Sequence, residues 1–401
     1  EIKTRTGKKI KVTEDHSLFS LNGKGIVAEI KPTELNKGSH IATPRKILFN
    51  DKPIISINLF DYLDRIKTGF ILGENIKQFI KENYQEIKQL GKENRYSRSC
   101  APRWLRIGIL PIEIIKDLDT LNFKLKEHQN LYFKTGNDAK KIPLNIKLDQ
   151  DLLTLVGIWL ADGCYDKNSV IFSTFDKEDR EIVSNVANNF NFKTKVHSDG
   201  GSFIINSTSF KFLFKEVLEL RGNAYTKRIP NWIFNISKEQ ISFVLKGLFS
   251  GDGHVSIKEV RMALSSLQLL KDVQTLLLGF EIRLRIGKLR KDKTYDSSIS
   301  TCKDFIKFRE EIGLLQDYKV KNLETLCKKI STHDCTDIIP LNLELKKKIK
   351  SLINDDKIFN SNDYINRNNN LGKEKLSRVL SQVQIQSEEI ENLKLLNNSD
   401  L

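Results

Sequence analysis

Along most of the chain, apolar residues recur at strand or helix spacing, but two stretches are apolar on nearly every side. The first holds Leu152, Leu153, Leu155, Val156, Ile158, Trp159 and Leu160. A helix of that composition has no polar face and must be buried all round. Small residues recur four apart, Gly157 with Ala161 and Gly247 with Gly251, so each helix carries a flat stripe on one face. Two flat stripes let two backbones approach closely, which sets the helices side by side about a pseudo-two-fold axis. Each stretch closes on Asp-Gly, Asp162-Gly163 and Asp252-Gly253, with the glycines expected in the left-handed capping position.

These stretches head an internal repeat. Leu155 to Gly163 is echoed by Leu245 to Gly253 at an offset of 90 residues. Without gaps, Val170 then meets Val260, Val183 meets Val273, Val186 meets Leu276 and Phe190 meets Phe280. Each copy continues into a further strand (203–206; 298–301) and a helix (209–220; 303–314). The fold class expected is α+β: duplicated αββαββα units, preceded by a partial all-β segment and accompanied by helical accessory segments. The expected divisions are 1–52 (short strands at 9–12, 25–28 and 40–42), 53–150 (helical and basic, with 71–90 helical), 151–330 (repeats 151–222 and 240–325) and 331–401 (helical).

Composition narrows the class of partner. The 66 Lys and Arg against 51 Asp and Glu leave a net charge of +15, which suits a polyanion because each neutralised phosphate releases counterions. Five cysteines, Cys100, Cys164, Cys302, Cys327 and Cys335, show no CxxC spacing, which argues against a disulfide framework or zinc site and fits a reducing cytoplasm. No apolar run reaches the roughly 18 residues of a membrane span.

The chemistry gathers at the two Asp-Gly ends. Helix C-termini carry negative partial charge, so two carboxylates there, with the carbonyls of Ala161 and Gly251, make a site that repels itself. A divalent cation resolves the conflict, and Mg²⁺ takes oxygen donors of this kind. The paired motif resembles that of LAGLIDADG homing endonucleases, over roughly residues 150–325. The resemblance implies a single chain with an internal two-fold that cuts double-stranded DNA, with Asp162 and Asp252 as metal ligands. The first acidic letter of the family's motif is Leu160 and Ser250 here, a non-catalytic position. Lys227-Arg228-Ile229-Pro230 is similar to the family's K-x-I-P stretch, whose lysine lies near the scissile phosphate. The block from Ile312 implies a second such lysine, Lys319, with Lys321 as the alternative. Two other readings stay open: a DNA-binding protein on this scaffold with cleavage lost, or an RNA maturase.

Lys193 and Lys195, like Arg283 and Arg285, stand two apart, so each pair shares one face of its strand. Thr194 and Val196, and Leu284 and Ile286, then point toward a helix layer. The family implies that such basic faces form a sheet saddle over DNA. Arg95, Arg98, Arg103 and Arg106, interleaved with Tyr96 and Trp104, suit further phosphate and base contacts. Near the start, Thr13-Glu14-Asp15-His16 resembles a block of the Hint fold of inteins, in which the Thr and His polarise a peptide bond. This implies an intein-borne nuclease. The opening nucleophile and closing His-Asn of that family are absent from the sequence, so the chain as given is not expected to splice.

Overall fold

The structure is a computed structural model and describes residues 1–118, 130–136, 138, 140–198, 200–328, 337–353, 355, 357–383 and 387–399. The chain divides into two compact units: Glu1–Leu48, Gly253–Gly313 and Tyr318–Leu401 form one, Phe49–Asp252 and Leu314–Asp317 the other.

The unit built on Phe49–Asp252 contains the first repeat and the second apolar helix. Helix α1 (Gln150–Asp162) starts at Asp149, whose carboxylate accepts from the Leu152 amide at 3.0 Å. The chain continues through β1 (Gly163–Tyr165), β2 (Ser169–Ser173), α2 (Lys177–Asn189), β3 (Thr194–Val196), β4 (Ser202–Asn206) and α3 (Thr208–Phe212). A π turn over Leu213–Val217 extends α3, so the expected 209–220 helix is real but wound irregularly. The sheet order is β1-β2-β4-β3, all antiparallel. Val170, Phe172, Val183, Val186 and Ile205 are buried between sheet and helices, with a ring cluster in which Phe210 and Phe214 lie 4.6 Å apart.

Helix α4 (Lys238–Asp252) packs on α1 in the same unit. A Cβ added to Gly157 would lie 2.0 Å from the Val244 carbonyl oxygen, and one on Gly247 would lie 2.0 Å from that of Thr154. Gly157 also abuts Leu248, and Gly247 abuts Ile158. These contacts exchange under the 90-residue offset, as an isologous two-fold contact requires. The flat stripes therefore serve the close backbone approach that their spacing suggested.

Region 53–150 is mixed rather than helical. Helices Glu74–Glu82, Tyr84–Glu93, Cys100–Ile107 and Ile112–Asp117 accompany strands at Phe70–Leu72, Ile109–Pro111, Tyr132–Lys134 and Ile142–Pro143. The expected helix over 71–90 begins as a strand because Ile71 fills the centre of a small sheet and is fully buried.

In the other unit the second repeat runs β5 (Gly253–Val255), β6 (Val260–Leu264), α5 (Leu267–Leu278), β7 (Arg285–Leu289), β8 (Tyr295–Ile299) and α6 (Cys302–Glu311). The order β5-β6-β8-β7 repeats that of the first sheet. Val260, Val273, Leu276 and Phe280 are buried, as are their partners in the first copy. Ahead of it come two hairpins, Ile2–Lys3 with Lys9–Ile10 and Leu18–Leu21 with Val27–Ile30; residues 40–42 form no strand. After it, helices Leu343–Ser351, Lys373–Ser381 and Glu388–Asn398 enclose their own core around Ile349, Phe359, Leu376 and Ile390. Cys335 lies outside the described residues; Cys100, Cys164, Cys302 and Cys327 are free thiols. Among the described residues no helix is long and apolar enough to cross a membrane.

Candidate active site

The paired helices end together. A Cβ on Gly251 would come 2.5 Å from the Ala161 methyl and 3.6 Å from Asp162 Oδ2, so the last turns of α1 and α4 are in contact. Asp162 is exposed and Asp252 half-buried. The glycines that follow are not left-handed caps. Gly163 is extended (φ −87°, ψ 147°), and Gly253 opens strand β5. Gly163 is required for a different reason: a Cβ there would lie 2.2 Å from the Trp159 ring. The helix turns directly into a strand with the indole beneath it.

Lys227 enters from the loop after the first repeat. The loop turns at Gly222 (φ +95°) and is pinned by the Lys227 amide donating to the Asn223 carbonyl at 2.9 Å and by fully buried Ile229. The Lys227 side chain is 5% exposed, and its Nζ donates to the carbonyls of Trp159 and Ala161, each at 2.9 Å. The same ammonium sits 4.8 Å from the Trp159 ring centroid. A cation suits a helix C-terminus, where bare carbonyls gather negative partial charge. Burial pushes the Lys227 pKa below the ordinary lysine value, while Asp252 and then Asp162 pull it upward. Three of the expected residues thus share one electrostatic environment. The Ala161 carbonyl, expected as a metal donor, is engaged by Lys227.

Part of the self-repulsion at the helix ends is therefore offset from within the chain. Two carboxylates still face one ammonium. Among the described residues no group of three or more His, Cys, Asp or Glu forms a metal cluster. Any ion here would rely on the two carboxylates, backbone carbonyls such as that of Gly251, water and substrate oxygens. That all-oxygen donor set fits a hard cation such as Mg²⁺.

Residues 239–313 match the LAGLIDADG-like domain family. The chain is 26% identical over 287 residues to the DNA polymerase II large subunit of Thermococcus kodakarensis, covering 69% of this chain and 15% of that protein. It is 21% identical over 427 residues to elongation factor 2 of Methanopyrus kandleri (100% and 32%). With reverse gyrase of Methanocaldococcus jannaschii the identity is 24% over 413 residues (98% and 24%). The chain thus spans a third or less of the length of these relatives. Among solved structures it is similar to I-DmoI in complex with DNA and Mn (18% identity, TM-score 0.34, 42% of this chain and 98% of that one). It is also similar to the N-terminal LAGLIDADG domain of WhiA (21%, TM-score 0.32, 43% and 86%).

The remaining expected residues sort by burial. Lys319, on helix Asp317–Cys327, is 6% exposed, whereas Lys321 is exposed. Lys193, Lys195 and Arg285 are exposed, and Leu284 and Ile286 are buried as period two requires. Three expectations fail, at Val196, Arg283 and Trp104. Val196 is 54% exposed at the end of the short edge strand β3, which α2 contacts without covering that residue. Arg283 does not face outward: it is half-buried just before β7 and pairs with Asp304 (3.3 Å) and Asp337 (2.5 Å). Asp337 in turn binds Arg45 at 2.8 Å, a network that joins three distant stretches of chain. Arg103 and Arg106 are exposed on helix Cys100–Ile107. Trp104 is only 4% exposed and packs edge-on against Tyr96 at 5.0 Å, so it serves that helix's core rather than a base. Thr13 and His16 are exposed in a turn closed by the His16 amide on the Thr13 carbonyl at 3.3 Å. Sequence reasoning passed over Trp159 as a site residue, because an aromatic in an apolar helix reads as core.

Proposed function

We propose that this chain is a homing-type endonuclease that cuts both strands of a long, asymmetric double-stranded DNA site with Mg²⁺, and that it is carried within an intein. The observation that carries the reading is the meeting of Asp162 and Asp252 on helices whose backbones touch, with buried Lys227 hydrogen-bonded at the same end. Asp162 and Asp252, with the Gly251 carbonyl, would hold the cation. When bound, the cation would supply Lewis-acid activation of water and stabilisation of the leaving 3′ oxygen. Lys227 offers a fixed positive charge to the phosphate as negative charge grows on it, in a site where burial strengthens that interaction. Lys319, buried like Lys227, is the better second lysine than Lys321.

Lys193, Lys195 and Arg285, with Arg103 and Arg106, are the exposed cations assigned to DNA; Arg283 is withdrawn from that set. The intein setting is supported by the relatives. A polymerase subunit, an elongation factor and a gyrase share no activity, yet each is similar to this chain over a minor part of its length. An inserted element leaves that pattern. Residues 1–48, with Thr13 and His16, would then belong to the splicing segment.

The test is a plasmid library of random targets incubated with the protein and Mg²⁺, with break sites sequenced. The reading expects breaks recurring at one long sequence, lost with EDTA and in Asp162→Asn. Scattered breaks, or none beyond the Asp162→Asn background, would overturn it.

A further inference from the structure

Strand β7 is the edge of the second repeat's sheet, opposite β5, and an edge strand offers unpaired backbone groups. This edge is not bare. The Ile286 amide donates to the Thr6 carbonyl at 3.0 Å, and Gln274 Nε2 donates to Thr6 O (3.1 Å) and Leu284 O (2.6 Å), clamping the two segments together. Thr6 belongs to the turn of the N-terminal hairpin, in which Lys3 pairs with Lys9 and the Thr4 amide donates to the Lys8 carbonyl at 2.8 Å. Gly7 makes the docking possible. Its φ is +90°, and a Cβ there would lie 2.6 Å from the Ile286 carbonyl oxygen.

The docking has an electrostatic consequence. Ile286 is buried, so Arg285 beside it is outward and exposed. Arg5, next to Thr6 on the other side of the bridge, is exposed too, as are Lys3, Lys9 and Lys11. Further along β7, Lys288 is exposed; Arg290, just past the strand, is exposed too but pairs with Asp292 and Asp296. The hairpin therefore carries the cationic surface of the sheet past its last strand.

We propose that the N-terminal hairpin is a DNA-contacting extension of the second repeat, with Lys3 and Arg5 neutralising phosphates beyond those spanned by the four strands. This rests on the endonuclease reading, and it gives a segment otherwise assigned to splicing a role in holding duplex.

The full chain, its cleavage target and hydroxyl-radical footprinting test this. In Lys3→Gln/Arg5→Gln the log–log salt dependence of binding should become shallower by about two units, near one for each phosphate no longer neutralised. Protection should disappear at one outer end of the footprint only, with the cleavage rate at saturating DNA unchanged. Gly7→Ala keeps every charge but cannot dock, and should lose the same outer protection. An unaltered salt slope and footprint in both variants, while the parent binds and cuts, would overturn the extension and leave the endonuclease reading standing. A parent that neither binds nor cuts duplex would overturn the endonuclease reading itself.

Discussion

Replacing Gly157 with alanine puts the helix pairing to a quantitative test. In a solvated helix the change should help, since alanine is favoured over glycine by about 1 kcal/mol. Here the added methyl would stand 2.0 Å from the Val244 carbonyl oxygen, where ordinary contacts begin near 3.4 Å. The opposing atom is backbone, so no rotamer can relieve the overlap. Helices α1 and α4 must part by roughly 1 Å or more, and a gap of about 0.5–1 Å already forfeits a quarter to a half of the attraction between each facing pair of atoms. Overpacking of a tight core costs about 1–3 kcal/mol, and this position belongs at the top of that range. The net expectation is a loss of about 2 kcal/mol after the propensity gain. Gly91→Ala is the control: it lies inside helix Tyr84–Glu93, and its methyl would meet only the Trp104 ring, at 3.4 and 3.5 Å. Urea unfolding followed by fluorescence should lower the midpoint for Gly157→Ala and hold or raise it for Gly91→Ala. Midpoints are the quantity to compare, because two units need not unfold in one step. A Gly157→Ala midpoint at or above the parent's would refute the backbone contact.

Asp162→Asn or Asp252→Asn should abolish double-strand cleavage while leaving duplex binding intact or tighter, since one repulsive charge is removed; normal cutting by either variant in a plasmid assay would sink the metal-site assignment. Lys227→Ala should slow cleavage by orders of magnitude with little change in Kd, and equal losses in both would reduce Lys227 to a phosphate clamp. Because burial lowers the Lys227 pKa, the unfolded chain holds more protons between that lowered value and about 10.4. Lys227 therefore makes stability rise with pH across that window, and the Tm of the parent relative to Lys227→Met should climb there. A flat or falling difference would contradict the burial of its ammonium. Arg283→Ala should cost about 1–3 kcal/mol by removing one cationic partner from buried Asp304 and from Asp337, which keeps Arg45, while duplex affinity of the folded protein stays unchanged; an affinity loss without a lower unfolding midpoint would restore it to the DNA surface.

What the sequence made legible was whatever a single periodicity determines. The all-apolar stretches announced buried helices, their glycines announced close approach, and the 90-residue offset announced the duplicated unit, though not the strand order within its sheet. Period two correctly turned Leu284 and Ile286 inward. It failed at Arg283, because a partner on a distant stretch of chain, Asp337, outweighs an alternation rule that considers one strand alone. Trp104 failed for the opposite reason: Arg and Trp mixed in sequence separate on a helix into an outer and an inner face. The Gly163 cap was misjudged because the chain leaves α1 as a strand, so no left-handed residue is needed. Lys227 was legible only through its family resemblance, since no local pattern marks a lysine whose carbonyl partners lie more than sixty residues away.

The offset between the copies is itself informative, because it does not stay at 90. Helices α2 and α5 begin at 177 and 267, still 90 apart, but β3 and β7 begin at 194 and 285, β4 and β8 at 202 and 295, and α3 and α6 at 208 and 302. The drift is confined to the outer hairpin of each copy. The constant spacing runs through the helices whose backbones touch and the elements that follow them directly. There an insertion in one copy would shift one carboxylate relative to the other. The outer hairpins lie outside that constant stretch. They differ in length and in edge chemistry: β7 carries a register shift between Ile286 and Leu289 and has the N-terminal turn docked on it. Under the proposed function, this separates two demands on one duplicated fold. The centre is held symmetric because both strands of the duplex undergo the same hydrolysis, and the outer hairpins are free to diverge because the two halves of the target need not share a sequence.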